Sequence, residues 1–510
     1  MADVAVEGGL ITAVESEHRG PIDTVIEADG RFLAPGFIDA HCHDDLELLR
    51  NPDRLEKIVQ GVTCVVIGNC GLSLYPCNSM SRSAVRDHAA GLLGPLADEE
   101  IFDDFRAYRS RLEQQGVALH VVSLVGHGPL RLTAVGPDDR PATLDEQARM
   151  EVLLEVQLQQ GAAGLSLGLV YPPSAYANRE ELIGLCKVAK KHCRPVAAHI
   201  RSYEAGLIPA IREFLALLRA SGASGILSHL QSAGRPNWGQ IPEALAILDE
   251  AVAEGIDISF DMYPYLAGCS YALQLLPLDV WSAGIGDLKQ RLQDPTFCQD
   301  LCRRLESPQV GAGGWQSKVA TIGWESILVA GVNAPSLKSI EGLTLAQAGE
   351  AARVAPFELL KRLILEDDGA SSVVLFQLSE GDLRSAFTHS LHMVGSDGIP
   401  RATGRPHPRA FGTFPRVIAT IVKKSHWLTL GEAVRRMTST PAERFGLANR
   451  GRIHPGYFAD LVLFNNDFRD QATFENPRRL AKGVSHVWVE GVPVLTYGSP
   501  AGNRPDRLLG

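Results

Sequence analysis

A repeated alternation of apolar runs and helix-like stretches constrains the fold of this chain more than any other feature. The predicted strands are one that starts at Phe37 and residues 62–67, 119–125, 164–169, 195–200, 225–230, 256–262 and 391–395. Helix starts lie between them, at the capping box Thr143-x-x-Glu146 and the cap Asn178-x-x-Glu181. Eight strands at this spacing predict an α/β fold with a parallel (β/α)₈ barrel of the TIM type. An open doubly wound sheet is the alternative, but no glycine-rich dinucleotide loop follows the first strand.

The two ends of the chain carry shorter strand-like pieces that cannot bury a core alone. Turn signals divide them at Gly8-Gly9 and at Glu490-Gly491. We predict a small β-sandwich domain made from residues 1–33 and 439–510, with the barrel domain, 34–438, between its two parts. The strand-like pieces are residues 4–15 (as two strands), 24–27, 458–464 and 484–494.

The segment 265–390 is too long for one connection between barrel strands. It holds Trp281, Trp315 and Trp324 among helical and strand-like pieces. We interpret it as an insertion over the barrel mouth that covers the substrate. A peripheral decoration of the barrel is an equal alternative at this stage.

The first predicted strand runs directly into His41-Cys42-His43-Asp44-Asp45. Residues at alternate positions of a strand point to the same side, so His41 and His43 can aim two imidazoles at one point. That geometry suits a metal ion. A chance HxH sequence in a loop, with a structural Cys42, is the alternative for this motif alone.

Four more predicted strands end in side chains that bind metals. Because the carboxyl ends of barrel strands meet at one face, these side chains are expected to converge. One such residue means little, since a single buried Cys or His is usually a packing residue. Five strand ends of this kind predict one metal centre. The expected ligands, which we call the strand-end cluster, are His41, His43, Cys70, His199, His229 and Asp397.

The donor types indicate zinc and a hydrolytic reaction. Cys70, His199 and His229 supply three ligands and leave one position open for water, as in catalytic zinc sites. A second, looser site would use the HxH pair and Asp397, with the Cys70 thiolate as a bridge. Bound zinc lowers the pKa of its water from about 15.7 to about 7. Asp397 can take the proton and pass it to a leaving nitrogen, which predicts metal-assisted hydrolysis of a C–N bond.

Other residues near the predicted mouth are candidates for substrate contacts. Tyr171 follows the fourth strand, and Tyr263 and Tyr265 follow the seventh. For Tyr171, simple aromatic packing is an equal alternative, and a phenol after the seventh strand could form a hydrogen bond with a ligand. A loop after Asp397 is rich in basic residues, which favours binding of an anionic substrate group over a merely solvated loop. Its basic residues are Arg405, His407, Arg409 and Arg416.

Composition excludes several classes of protein. A net charge of −10 over 510 residues argues against a nucleic-acid-binding surface, and no apolar run is long enough to cross a bilayer. The start of the chain lacks the features of a signal peptide. Nine scattered cysteines do not resemble a disulfide framework. We therefore predict a cytoplasmic protein with a small-molecule substrate, and the oligomeric state stays undetermined.

With these motifs in place, the sequence resembles the N-acyl-D-amino-acid deacylases (D-aminoacylases) of the amidohydrolase superfamily. The resemblance implies a (β/α)₈ barrel with a small β-sandwich, and zinc-dependent hydrolysis of N-acyl-D-amino acids. It implies that the tight zinc is held by Cys70, His199 and His229, and that Asp397 is the acid/base. It also implies that Arg409 and Tyr263, with Tyr265 as the fallback, hold the substrate carboxylate. The matching stretches are APGFIDAHCHDD, IGNCGLS, GHGPLR, GLVYPPSAYA, AHIRSYE, SHLQSAGRPNWG, MVGSDGIP, HPRAFGTFPRV and GRIHPGYFADLVLF.

Two departures from the family pattern shape the expectations. The start at Met1-Ala2-Asp3 is shorter than usual, which predicts an N-terminally truncated β domain. Gln231 stands where many members carry Lys, two residues after the sixth-strand histidine. Loss of that cation favours substrates with neutral or apolar side chains.

Two alternative functions stay open. A cyclic-amide hydrolase, like a hydantoinase or dihydroorotase, would share the HxH motif and the final aspartate. Those enzymes typically bridge their metals with a carboxylated lysine at the end of the fourth strand, and residues 164–169 contain no lysine. A non-catalytic scaffold is less favoured, because none of the expected ligands is missing.

Overall fold

A computed structural model of the chain describes residues 2–20, 22–311, 314–505 and 509. Met1, part of the start that the sequence predicts to be truncated, lies outside the described residues. The strands are β1 (Asp3–Glu7), β2 (Leu10–Glu15), β3 (Phe32–Pro35), β4 (Phe37–Asp39), β5 (Val62–Ile67), β6 (His120–Gly126), β7 (Gly164–Gly168), β8 (Val196–His199), β9 (Gly225–Leu227), β10 (Ile258–Met262), β11 (Gly268–Tyr271), β12 (Ile327–Gly331), β13 (Ser372–Leu375), β14 (His392–Val394), β15 (Leu461–Arg469), β16 (Lys482–Val489), β17 (Val492–Thr496) and β18 (Ser499–Pro500).

The α-helices lie mainly between barrel strands and in the long segment before β14. They are α1 (Glu47–Arg50), α2 (Leu55–Ile58), α3 (Arg82–Leu93), α4 (Phe105–Gln115), α5 (His127–Ala134), α6 (Leu144–Gln159), α7 (Arg179–Lys191), α8 (Leu207–Ser221), α9 (Ile241–Ala253), α10 (Ile285–Arg291), α11 (Pro295–Glu306), α12 (Lys318–Ile322), α13 (Leu345–Ala352), α14 (Pro356–Asp367), α15 (Glu380–Thr388), α16 (Arg409–Arg416), α17 (Leu430–Met437) and α18 (Ser439–Arg444). None of the helices that the structure describes is long and apolar enough to span a membrane.

The predicted barrel is confirmed. Strands β4 to β10 follow one another in a parallel sheet, and β14 adds the eighth strand beside β10. The ring closes between β4 and β14, where the Ala40 amide donates to the Val394 carbonyl over 3.2 Å. Just beyond it, Cys42 and Gly398 form a parallel bridge. Closure at this point places the His41 segment directly beside the Asp397 segment.

The barrel strands are hydrophobic on both faces because each face meets a different part of the core. In β5, Val65 and Ile67 pack in the large cluster formed with the surrounding helices. The alternate residues Cys64 and Val66 pack in a smaller cluster with side chains from other barrel strands, inside the barrel. This alternation explains why residues 62–67 read as one continuous apolar run and match β5.

A separate antiparallel sheet combines the two ends of the chain, as predicted. Its strand order is β18-β17-β16-β15-β3, and the β1–β2 hairpin is bonded to the segment that leads into β15. There the Ile11 amide donates to the Tyr457 carbonyl over 2.8 Å. The predicted turn between β16 and β17 is present, since Glu490 and Gly491 both adopt positive φ. The domain boundaries themselves stay a prediction.

The predicted strand at residues 24–27 is wrong. These residues form no strand, and their side chains are exposed. The N-terminal contribution to the five-stranded sheet comes instead from β3, whose Phe32 pairs with Phe464 of β15. Residues 24–27 are β-branched in part but have no partner strand and no apolar surface to cover, so their local propensity is not realised.

The long segment before β14 forms a three-stranded antiparallel sheet in the order β11-β13-β12. With helices α10 to α14 it buries a hydrophobic cluster of its own, which includes Leu301, Val329 and Leu363. Lys318 and Cys269 from this segment line the cavity at the barrel mouth. Part of the predicted insertion therefore forms a wall of that cavity.

Candidate metal centre

All six side chains of the strand-end cluster lie at the carboxyl-terminal face of the barrel, and their potential ligand atoms form three overlapping groups. Within each group these atoms lie within 4.8 Å of one another. Three of the residues leave their strands with a left-handed backbone: φ is 55° at Cys70, 37° at His229 and 48° at Asp397. Such a conformation costs non-glycine residues about 1–3 kcal/mol and is concentrated at functional sites. The groups are His41–His43–Cys70, Cys70–His199–His229 and His41–His229–Asp397.

Cys70 is at the centre of the cluster. Its Sγ lies 3.4 Å from Nε2 of His41 and 3.5 Å from Nε2 of His229. Two ligands of one tetrahedral zinc ion, with Zn–S near 2.3 Å and Zn–N near 2.0–2.1 Å, would be separated by about 3.5 Å. The spacing and the sulfur-plus-imidazole donor set therefore fit a zinc ion held between these groups.

Asp397 lies close to both histidines of the HxH motif, His41 and His43. Its Oδ1 is 3.3 Å from Nε2 of His43 and 3.6 Å from Nε2 of His41. Both histidines are buried, and the Asp397 side chain is 10% exposed. Asp397 also lines the cavity, so its carboxylate is accessible to a small molecule there.

The surroundings of two members of the cluster favour their anionic forms. Burial acts to raise the pKa of Cys70, but the surrounding imidazoles of His41, His199 and His229 bring that pKa well below its usual value. Burial likewise acts to raise the pKa of Asp397, and the Arg409 guanidinium is the largest influence that brings it well below the usual range. The lowered pKa values favour the thiolate of Cys70 and the carboxylate of Asp397, which are the forms that bind metals.

Asp261 belongs to this centre, although the sequence analysis did not single it out. Its Oδ2 lies 3.2 Å from Nδ1 of His41, and its Oδ1 accepts from the His229 amide over 3.0 Å. A carboxylate on Nδ1 directs Nε2 of the ring towards the cluster. The signal available in the sequence was an acidic residue inside the buried strand 256–262.

A buried ion pair between Lys57 and Asp39 lies next to the segments that carry the cluster. Asp39 accepts through Oδ2 from Lys57 Nζ and from Ser396 Oγ, both over 2.6 Å, and through Oδ1 from the Ser396 amide over 2.7 Å. All three side chains are buried. This network joins β4 to the residue before Asp397, so it fixes the two segments that bring the N-terminal histidines and Asp397 together.

Of the three predicted substrate-binding residues, two line the same cavity, and Arg409 is not among its lining residues. Tyr171 and Tyr263 line it. Arg409 is buried behind Asp397 and Tyr263, with Nη1 2.9 Å from Oδ2 of Asp397 and its guanidinium carbon 4.6 Å from the centroid of the Tyr263 ring. Its Nε and Nη2 make no hydrogen bond with the residues that the structure describes. Tyr265, the fallback, instead packs on His407 at 5.2 Å between ring centroids.

The interpretation of His407 as part of a basic loop is wrong. Its Nδ1 accepts from the Arg409 amide, and its Nε2 donates to the Ala267 carbonyl, each over 3.0 Å. Burial and the neighbouring Arg409 bring the pKa of His407 well below its usual value, so the ring is neutral. His407 therefore attaches the start of α16 to the loop after Tyr265 and adds no positive charge.

Comparison with known proteins shows which family this chain resembles. The profile of the amidohydrolase family matches residues 24–313 and 374–495. An N-acyl-D-glutamate deacylase from Alcaligenes xylosoxydans xylosoxydans is 34% identical over 509 residues, covering 100% of this chain and 92% of the relative. A D-aminoacylase from the same organism is 33% identical, covering 100% of this chain and 93% of the relative.

A solved structure has the same overall fold. It is the N-acyl-D-glutamate deacylase from Bordetella bronchiseptica, complexed with zinc and a phosphonate inhibitor that mimics the tetrahedral intermediate of its reaction. The TM-score is 0.84 at 32% sequence identity, and the alignment covers 100% of this chain and 95% of that one.

Proposed function

This chain belongs to the N-acyl-D-amino-acid deacylase (D-aminoacylase) family of the amidohydrolases, and we propose that it hydrolyses the amide bond of N-acyl-D-amino acids to a carboxylate and a free D-amino acid. The observation that carries the proposal is the strand-end cluster around Cys70, which opens onto the cavity at the barrel mouth. The proposed preference for the D configuration rests on the relatives, because the identity of the cavity residues does not discriminate between D and L enantiomers.

Zinc is the proposed cofactor. Cys70, His199 and His229 would hold one ion tightly, while His41, His43 and Asp397, sharing Cys70, form a weaker second position. Zinc bound in such a site supplies Lewis-acid chemistry that polarises an amide carbonyl and makes water acidic near neutral pH. The thiolate form of Cys70 supports this assignment, because zinc binds the deprotonated sulfur.

Asp397 is the proposed general base and acid. Its carboxylate is ionised, lines the cavity and lies beside the histidines of the cluster. It can accept the proton of the attacking water at a carboxylate oxygen and then return it to the amide nitrogen as the C–N bond breaks. Ion pairing with Arg409 keeps Asp397 ionised between turnovers.

Arg409 and Tyr263 are proposed to bind the α-carboxylate of the substrate. Asp397 uses one edge of the Arg409 guanidinium, and the Nε and Nη2 donors have no partner among the described residues. A guanidinium offers five N–H donors, so it can serve a second carboxylate. Tyr171, whose ring centroid is 4.9 Å from that of His199, is proposed to contact the substrate near the metal.

The amino-acid side chain is proposed to be neutral or apolar. Gln231 lines the cavity and accepts a hydrogen bond from the Tyr263 hydroxyl over 3.1 Å. Because this residue is uncharged, it offers no ion pair to an acidic side chain next to the proposed carboxylate site.

Replacing Arg409 with methionine is expected to raise KM for substrates with a free α-carboxylate by roughly 10- to 100-fold, since a hydrogen bond to a charged group contributes about 1.5–3 kcal/mol. The KM values of methyl esters and primary amides of the same substrates should change much less, whereas a loss of kcat through the changed pKa of Asp397 should be common to all of them. Steady-state kinetics on matched acid and amide substrates measures this difference. Equal increases in KM on both kinds of substrate would contradict the carboxylate role.

Arg416→Met is the matched control for Arg409. Arg416 also lies over a tyrosine ring, with its guanidinium carbon 4.5 Å from the centroid of Tyr265. Arg416 pairs with Asp470 over 3.1 Å rather than with Asp397, and its tyrosine does not line the cavity, whereas Tyr263 does. The control variant should therefore keep the wild-type ratio of KM values for acid and amide substrates.

The reaction itself is tested by a hydrolysis screen on zinc-loaded protein. Matched N-acetyl-D- and N-acetyl-L-amino acids are offered together with hydantoins, and release of the free amine or ring opening is followed. We expect hydrolysis of the D compounds, with little activity on the L compounds or hydantoins. Preferential ring opening would favour a cyclic-amide hydrolase, and no hydrolysis of any amide would contradict the proposal.

A further inference from the structure

The cavity next to the strand-end cluster has two chemically different walls. One is apolar and includes Leu92, Val170, Tyr171 and Ile399. The other is polar and is formed by Glu204, Gln231, Lys318 and Gln377. The polar wall includes a neighbour of the proposed carboxylate site, because Gln231 accepts from the hydroxyl of Tyr263. A group attached to the α-carbon of the substrate would therefore lie near this wall.

An ion pair between the barrel and the insertion lies within the polar wall. Lys318, the first residue of α12, places Nζ 2.7 Å from Oε1 of Glu204, which follows β8. The side chains are 19% and 12% exposed. The other oxygen of Glu204 accepts from Ser202 Oγ and from the Tyr203 amide, over 3.2 and 3.3 Å. Glu204 is therefore fixed, and it holds the lysine against the wall.

The lysine favours the ionised form of Glu204. Burial acts to raise the pKa of Glu204, but the ammonium of Lys318 outweighs it and the pKa lies below its usual value. Lys318 is the only lysine or arginine on the cavity wall within the part of the chain that the structure describes. Because Glu204 neutralises it, the polar wall carries no net positive charge where a substrate side chain would lie.

We propose that Glu204 restricts this enzyme to substrates with uncharged side chains by neutralising Lys318. An acidic side chain at this wall would approach the Glu204 carboxylate as closely as the Lys318 ammonium, so it would gain little attraction. A carboxamide fits better, since Lys318 keeps N–H donors beyond the one used by Glu204 and the two glutamines can both donate and accept. The inference rests on the proposed deacylase function and names the substrate class of the same site.

The test uses N-acetyl-D-glutamate and N-acetyl-D-glutamine, which have the same length and differ by one charge. We expect the zinc-loaded wild-type enzyme to prefer the glutamine compound in kcat/KM. In Glu204→Gln the lysine is freed, and the ratio should shift towards the glutamate compound by about tenfold or more. Lys318→Met removes the cation and should shift the ratio further away from glutamate.

Glu213→Gln is the matched control. Glu213 is close in sequence to Glu204 and forms an ion pair with Arg201 over 2.8 Å. Neither Glu213 nor Arg201 lines the cavity. The Glu213→Gln variant should leave the ratio of kcat/KM for the two compounds unchanged. The zinc content of every variant is measured to confirm an intact metal centre. An unchanged ratio in Glu204→Gln, or a wild-type enzyme that already prefers glutamate, would overturn the inference.

A calorimetric measurement separates this inference from the proposed function. The affinity of each compound is measured in an Asp397→Asn background, with Glu204 intact and with Glu204→Gln, so that the bound compound is not hydrolysed. If no N-acyl-D-amino acid is hydrolysed, the proposed function fails, while the affinity ratio still decides the role of Glu204. If hydrolysis is found but neither ratio changes, only the role of Glu204 fails.

Discussion

Replacing Cys70 with alanine is expected to abolish tight zinc binding and to reduce turnover by roughly three orders of magnitude or more. Cys70 belongs to two of the three ligand groups, and its sulfur contacts two imidazoles at ligand spacing. Bound zinc lowers the pKa of its water from about 15.7 to about 7, and hydrolysis at neutral pH depends on this change. Without zinc, the water stays a poor nucleophile. Elemental analysis should find close to one zinc per wild-type chain and very little in the variant.

Cys186→Ala is the matched control for Cys70. Cys186 is a buried thiol on α7 whose pKa is raised to about 12 by burial, and it lies in none of the ligand groups. Its removal should cost some stability, measured as a lower Tm, while zinc content and specific activity stay at wild-type values. Wild-type zinc content in Cys70→Ala, or a correctly folded wild type without zinc, would rule out the proposed centre.

The second large effect is expected for Asp397→Asn. This variant should keep its zinc, because Cys70, His199 and His229 are unchanged, and should lose about 10²- to 10⁴-fold in kcat. An amide cannot accept the proton of the attacking water at neutral pH. The measurement pairs metal analysis with kcat on one N-acetyl-D-amino acid.

Asp367→Asn provides the comparison for Asp397. Asp367 is buried and accepts from the Asn333 and Ala334 amides in the insertion, away from the cavity. It should lower stability and leave kcat nearly unchanged. Near-normal turnover in Asp397→Asn would exclude its role as acid and base, whereas loss of zinc from it would show that Asp397 is needed to hold the tight metal.

The barrel could be predicted from the sequence because its strands are encoded locally. A run such as 62–67 must be apolar on both faces, since one face meets the helices and the other the barrel interior. The capping box at Thr143 likewise fixes the start of α6 through a bond to the Glu146 amide three residues away. The strand predicted at 24–27 failed because strand formation needs a partner, and its propensity alone could not supply one.

Only part of the candidate metal centre could be predicted from the sequence. Ligand-type residues at the ends of strands could be found because barrel topology brings those ends to one face. Asp261 could not be singled out, because an acid within a strand reveals its partners His41 and His229 only when the barrel closes. Sequence position also gave no indication that Arg409 lies behind Asp397 and Tyr263.

By itself, then, the sequence determined the family, the barrel and the set of candidate metal ligands, since each of these is encoded by short motifs and strand periodicity. The tertiary structure alone decided the charge on the cavity wall. Lys318 and Glu204 are separated by 114 positions in the chain and meet only because the insertion folds against the loop after β8. An ion pair depends on a few ångströms of three-dimensional separation, and no local pattern encodes that distance.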